Sequence, residues 1–141
     1  MNFVLKYEKR GDYIIEYGFS KMLDVSYHNA IDMVIDKLKN EGFGILTKID
    51  VKDKFKEKLD IDFKKYLILG ACHPESAYKA ILAEENIGLM LPCNVIIYEK
   101  NEKTGISIIK PTMAMGMIKN DKLKSIADKV ESKLERVFNQ L

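Results

Sequence analysis

The chain has 141 residues, 47% hydrophobic and 31% charged, with 23 basic against 21 acidic side chains. That length suffices for one domain burying about 70% of its unfolded surface, and that composition excludes disorder. A net charge of +2 leaves no basic stripe for nucleic acid, and no run of apolar residues reaches the length of an export signal or a membrane span.

The expected setting is therefore cytoplasmic, with both cysteines reduced. In chain order, residues 3–7 and 13–19 are predicted as a hairpin around Arg10-Gly11-Asp12, glycine supplying the turn. A helix is expected from Ser26, whose hydroxyl caps the first turn. Tyr27, Ala30, Ile31, Val34, Ile35 and Leu38 form its apolar face, and Glu41-Gly42 end it. His28, beside the cap, reads as a solvated surface imidazole. Residues 43–49 read as a strand. The lysine-rich segment that follows, with Val51, Phe55 and Leu59 every fourth residue, reads as a short amphipathic helix with a solvated face.

Residues 66–98 hold both cysteines and the strongest apolar runs. Tyr66-Leu-Ile-Leu-Gly-Ala-Cys72 reads as a strand, Pro74 as the first position of a helix over 75–86, and Cys93-Asn-Val-Ile-Ile-Tyr98 as the return strand. A second hairpin joins 95–98 to 106–109, Pro111 stops it, and a methionine-rich segment (Met113, Met115, Met117) leads into the last helix. That helix starts near Asn120-Asp121 and runs through Leu123, Ile126, Ala127, Val130, Leu134, Val137 and Leu141. The fold class is α+β: a twisted, mostly antiparallel sheet with helices packed on one face, β-α-β-rich, closed by a C-terminal helix.

Cys72 preceding a helix start suggests a thiolate stabilised by the helix N-terminus. If the strands ending at Cys72 and beginning at Cys93 are antiparallel neighbours, the sulfurs share one edge. They would then form a redox pair, or two legs of a soft-metal site with His73 or a methionine as the third. The alternative is that both are small buried hydrophobes. Met113 and Met117 share a helical face while Met115 points elsewhere, which suits a packing or dimer contact. No nucleophile elbow, phosphate-binding loop, dinucleotide fingerprint or zinc-protease motif is present, so no catalytic role or cofactor is assigned.

Three stretches carry a family resemblance: Glu41-Gly-Phe-Gly-Ile-Leu-Thr-Lys-Ile-Asp50-Val51, the segment from Tyr66 through Cys72-His73-Pro74, and Ile87-Gly-Leu-Met-Leu-Pro-Cys93-Asn94 with the strand after it. With the final helix they resemble the family known as domain of unknown function 302. The likeness covers residues 17–138 of a single domain spanning 1–141, with residues 1–16 as an added strand or hairpin. It implies a small α+β fold and a homodimer. It also marks Gly42, Phe43, Gly44, Asp50, Gly70, Cys72, Pro74, Pro92, Cys93 and Asn94 as matching the family pattern, with His73 standing where the family more often has asparagine.

The expected function is small-ligand binding or thiol-based redox response at a site of Cys72, Cys93, His73, Asn94 and Asp50. Two alternatives stand beside it. One is Cu(I) or Zn held by Cys72, Cys93 and His73 or a methionine. The other is a dimeric interaction module with no small-molecule site, no nucleic acid and no membrane.

Overall fold

The computed structural model describes residues 6–7 and 12–141. Among the described residues seven strands form one sheet: β1 (Lys6–Tyr7), β2 (Asp12–Ile15), β3 (Gly18–Leu23), β4 (Gly44–Asp50), β5 (Tyr66–Cys72), β6 (Cys93–Lys100) and β7 (Lys103–Ile109). Their spatial order is β1-β2-β3-β7-β6-β5-β4, and every neighbouring pair is antiparallel. The helices are α1 (Tyr27–Asn40), α2 (Val51–Leu59), α3 (Pro74–Ala83), α4 (Pro111–Ala114) and α5 (Asp121–Asn139), with a 3-10 helix over Glu85–Met90.

Alternation along the central strands sorts their side chains. Leu67, Leu69, Val95, Ile97, Ile106 and Ile108 point to one face, where they meet Ala30, Val34 and Leu38 of α1 and Val130, Leu134 and Val137 of α5 in one core. This is the expected apolar face of each helix, joined through the sheet. Helices α3 and α4 then pack on α5, around a smaller core of Ala80, Ile87, Met115, Leu123 and Ala127.

The caps follow the sequence. Ser26 Oγ accepts from the Asn29 N–H at 3.1 Å, and Asn120 Oδ1 from the Leu123 N–H at 3.1 Å. Past the end of α1, Gly42 takes φ +86, a conformation that side chains rarely adopt. On the opposite sheet face, α2 is attached by an aromatic row rather than a deep core. Phe55 meets Phe63 at 5.1 Å between ring centroids, Phe63 meets Tyr66 at 6.4 Å, and Tyr66 stacks on Tyr98 at 5.7 Å. No residue of α2 is buried.

Two expectations change. Residues 13–19 are not one strand: the chain reverses at Glu16-Tyr17, pairing Ile15 with Gly18, and β3 continues to Leu23 beside β7. The proposed turn residues Arg10 and Gly11, and residues 3–5, lie outside the described residues. The helix over 75–86 is shorter: α3 stops at Ala83 and the chain tightens into the 3-10 turn, reaching β6 through a cis Leu91-Pro92 peptide. The β4 edge is broken by a register shift between Ile45 and Thr47, the kind of irregularity that blunts an edge strand.

Candidate functional site

Strands β5 and β6 are antiparallel neighbours, so Cys72 and Cys93 do come to the same end of the sheet. The residue directly opposite Cys93 is Ala71, however, which offsets the cysteines by one position. The pleat sends successive side chains to opposite faces, so this is not the register of a cross-strand disulfide. Both thiols are free, Cys93 buried and Cys72 half-buried.

Together they border a small cavity walled by Ser76, Ala77 and Ala80 of α3, Leu91 and Pro92, Pro111 and Met115, and Ile126, Ala127 and Val130 of α5. The hollow exists because four of its wall positions (Ala71, Ala77, Ala80 and Ala127) carry only a methyl group. It offers about 30 Å³ to a water-sized sphere. Roughly 10–15 Å³ of such space holds one water, so this is room for an ethyl-sized group and not for a whole metabolite.

The thiolate expectation is reversed. Burial pushes the Cys72 thiol up, and burial together with the charge of Cys72 pushes Cys93 up to about 11. An apolar wall outweighs the helix end here, because desolvation disfavours the charged form. Iodoacetamide labelling of the native protein should therefore show Cys72 reacting with an apparent pKa above that of a free thiol, and Cys93 reacting only on unfolding. The sign for stability follows: Cys93 favours the fold below pH 9.0, its ordinary value, and that contribution is lost as pH rises towards about 11. Urea midpoints between pH 8 and 11 should fall more steeply for wild type than for Cys93→Ala. Parallel curves would refute this assignment.

His73 borders the same cavity but is occupied as a helix cap. Its Nδ1 lies 2.8 Å from Ser76 Oγ and accepts from the Ser76 N–H at 3.4 Å. Its ring stands edge-on to Phe43 at 5.6 Å, and a Cβ on Gly42 would approach it to 3.2 Å. Asparagine is among the best N-cap residues, so the imidazole does here what an asparagine side chain would do. The remaining site candidates do not join it. Asp50 caps α2, accepting from the Asp53 N–H at 3.0 Å. It lies opposite Leu67, at the far end of β5 and about 17 Å from Cys72 by strand rise. Asn94 is exposed and pairs with Gly70, on the sheet face away from Cys93.

The metal set of Cys72, Cys93 and His73 is not assembled by this geometry. Among the described residues no three His, Cys, Asp or Glu side chains gather as a metal set, since His73 is turned to Ser76 and the cysteines are offset. Of the three methionines singled out in the sequence, Met115 is the one that joins the site, and the pairing of Met113 with Met117 did not foretell it. Met115 is buried on the cavity wall while Met113 and Met117 are exposed, and its position two residues from each was the available signal.

The architecture defines an α+β protein with an antiparallel sheet and a closing C-terminal helix. The chain matches the family described as domain of unknown function DUF302 over residues 19–141, and it belongs to that family. It is similar to the crystal structure of an uncharacterized conserved protein DUF302 from Bacillus stearothermophilus. The two share 31% identity and a TM-score of 0.82, over 89% of this chain and 98% of that one. No curated protein matches the chain. Among the described residues no helix is long and apolar enough to cross a membrane.

Proposed function

We propose that the protein is a binding protein for a ligand with a short aliphatic end, received in the cavity bordered by Cys72 and Cys93. The observation that carries this reading is the wall itself: small alanines, two prolines, Met115 and two cysteines, with almost no polar group presented. Thiols held above their ordinary pKa are neutral near pH 7, and a neutral thiol behaves as a small polarizable hydrophobe. That favours binding over thiolate redox chemistry. The size of the hollow selects the tip of a chain, and the rest of the ligand would lie over the elements that wall it. Those elements expose Tyr78 and Leu82 on α3, Leu89 on the 3-10 turn and Met117 after α4.

The test is an NMR titration with n-alkanols of increasing length. Saturable shifts at Ala77, Cys93 and Met115, strengthening with chain length and lost in Ala77→Leu, are expected. Shifts that are non-saturating, or unchanged in Ala77→Leu, would refute the reading.

A second reading rests on the same exposed side chains. Leu89 at 89% and Met117 at 78% exposure are unusual for large apolar residues, and a homodimer would cover them. Sedimentation equilibrium decides it: a dimer in wild type and a monomer in Leu89→Lys/Met117→Lys supports this reading, and a wild-type monomer removes it.

A further inference from the structure

An imidazole replaces an asparagine as a helix cap only while it is neutral. His73 caps α3 through Nδ1, which accepts from the Ser76 N–H at 3.4 Å and lies 2.8 Å from Ser76 Oγ. Accepting requires a lone pair on Nδ1, and a protonated imidazole carries a hydrogen on both ring nitrogens. Histidine is the side chain whose charge ordinarily changes between about pH 5 and 8, whereas asparagine does not titrate.

Protonation reverses one contact and removes the other. A proton on Nδ1 can be donated to Ser76 Oγ, so the short contact survives with donor and acceptor exchanged. The Ser76 N–H loses its acceptor and becomes one of the first-turn donors that have no partner within a helix. The new positive charge also faces the positive end of the α3 dipole.

The groups around the ring offset this charge only weakly. Phe43 stands edge-on at 5.6 Å and Gly42 lies under the ring, both from the segment after α1 and both uncharged. From β5 comes the Cys72 thiol, pushed up by burial and so neutral in acid. The carboxylate in reach is Glu75, exposed on α3. Lys79, bonded to it at 3.0 Å, already holds that carboxyl below its ordinary range, with His73 and Lys129 of α5 adding to the effect. Ser76 and Ala77 of the capped turn wall the cavity beside Cys72, so what loosens the turn displaces the wall.

We propose that His73 is a proton-operated latch on the cavity: neutral, it holds the first turn of α3 in place, and protonated, it releases that turn and weakens ligand binding. The release belongs to the cap alone, while its effect on a ligand rests on the cavity being the binding site proposed above. By linkage, a ligand that needs the ordered turn and a proton that releases it weaken one another.

Backbone NMR of the full chain between pH 8 and pH 5 tests the two parts separately. In wild type the Cα shifts of Glu75, Ser76 and Ala77 are expected to move from helical towards coil values, along the same curve as the His73 ring protons. Affinity for an n-alkanol that saturates the cavity should fall by about fivefold over that range, within what the loss of an N-cap ordinarily does. His73→Asn keeps an acceptor for the Ser76 N–H and removes the titration, so its shifts and affinity should stay at the wild-type pH 8 values. His28→Asn, in the first turn of α1, should respond to pH as wild type does. If no alkanol binds at any pH, the cavity reading falls and the Cα shifts alone decide the latch. Wild-type shifts that do not move, or that move equally in His73→Asn, would overturn the proposal. Moving shifts with a pH-independent affinity would overturn its control of the cavity.

Discussion

Gly70→Ala is expected to destabilise the protein by about 3 kcal/mol, the upper part of the usual cost of overpacking a well-filled interior. Gly70 sits in the middle of the β4-β5-β6 ladder, opposite Thr47 on one side and Asn94 on the other. A methyl group there would run into Thr47 Oγ1 and approach Pro92 Cγ to 2.7 Å. The threonine can rotate, but the proline ring is stiff and cannot turn aside. Relief must therefore come from the backbone linking the 3-10 turn to β6. The cavity is lined by Pro92 and Cys93, so the strain should also reach the site, and Cys72 should become easier to alkylate. Urea unfolding of Gly70→Ala, Thr47→Ala and the double variant separates the two collisions. Partial rescue in the double variant, with the proline part of the cost left, is expected. A Gly70→Ala protein as stable as wild type would show that the ladder opens freely here.

The same position shows what the sequence made legible. Matching the family pattern at Gly70, Pro92 and Gly42 identified residues that matter, but not why. In the structure they are places where one segment passes close to another, Gly70 under Thr47 and Pro92 and Gly42 under the His73 ring. Close approach between distant segments leaves no local periodicity to read. Helices α1 and α5 were legible because an apolar face repeating every three to four residues has one physical use, burial against a sheet. The caps at Ser26 and Asn120 were legible for a similar reason, the hydrogen bond being local. Strand β3 was hidden because its buried members include Ser20 and Lys21, which break the apolar alternation. The early reversal was missed because Glu16-Tyr17 carries no glycine or proline to mark it.

At the cysteines, the sequence placed both at one end of neighbouring strands but could not supply the one-residue offset, which depends on the pairing register. Nor could it show that burial governs the thiols, since desolvation is set by α3, α4 and α5 arriving from elsewhere in the chain. Asp50 illustrates the reverse error. A family-pattern carboxylate looked like a site residue, and its oxygen is used to start α2.

Lys21→Met is expected to cost about 2 kcal/mol and to loosen the last turn of α5. Lys21 is buried on β3, 8% exposed, where an apolar side chain would be the ordinary choice. Its ammonium donates to the Phe138 carbonyl at 2.8 Å and to the Leu141 carbonyl at 3.4 Å, and stands 4.1 Å from the centre of the Phe138 ring. A cation there meets the negative end of the α5 dipole and adds a second donor to the Phe138 carbonyl, which also accepts from the Leu141 N–H at 3.2 Å, an arrangement worth up to about 2 kcal/mol when partly buried. The same contact ties the closing helix to β3, beside the stack of Phe19 on Phe138 at 5.5 Å. Methionine keeps the unbranched apolar stem and removes the charge and the donors, so it isolates the polar contribution, whereas Lys21→Ala removes the packing as well and should cost more. Amide exchange supplies the discriminating reading: in Lys21→Met protection should fall selectively near Phe138, with α1 changed only by the global loss. If Lys21→Met equals or exceeds wild type in stability, the lysine is tolerated at this position and does not anchor the helix.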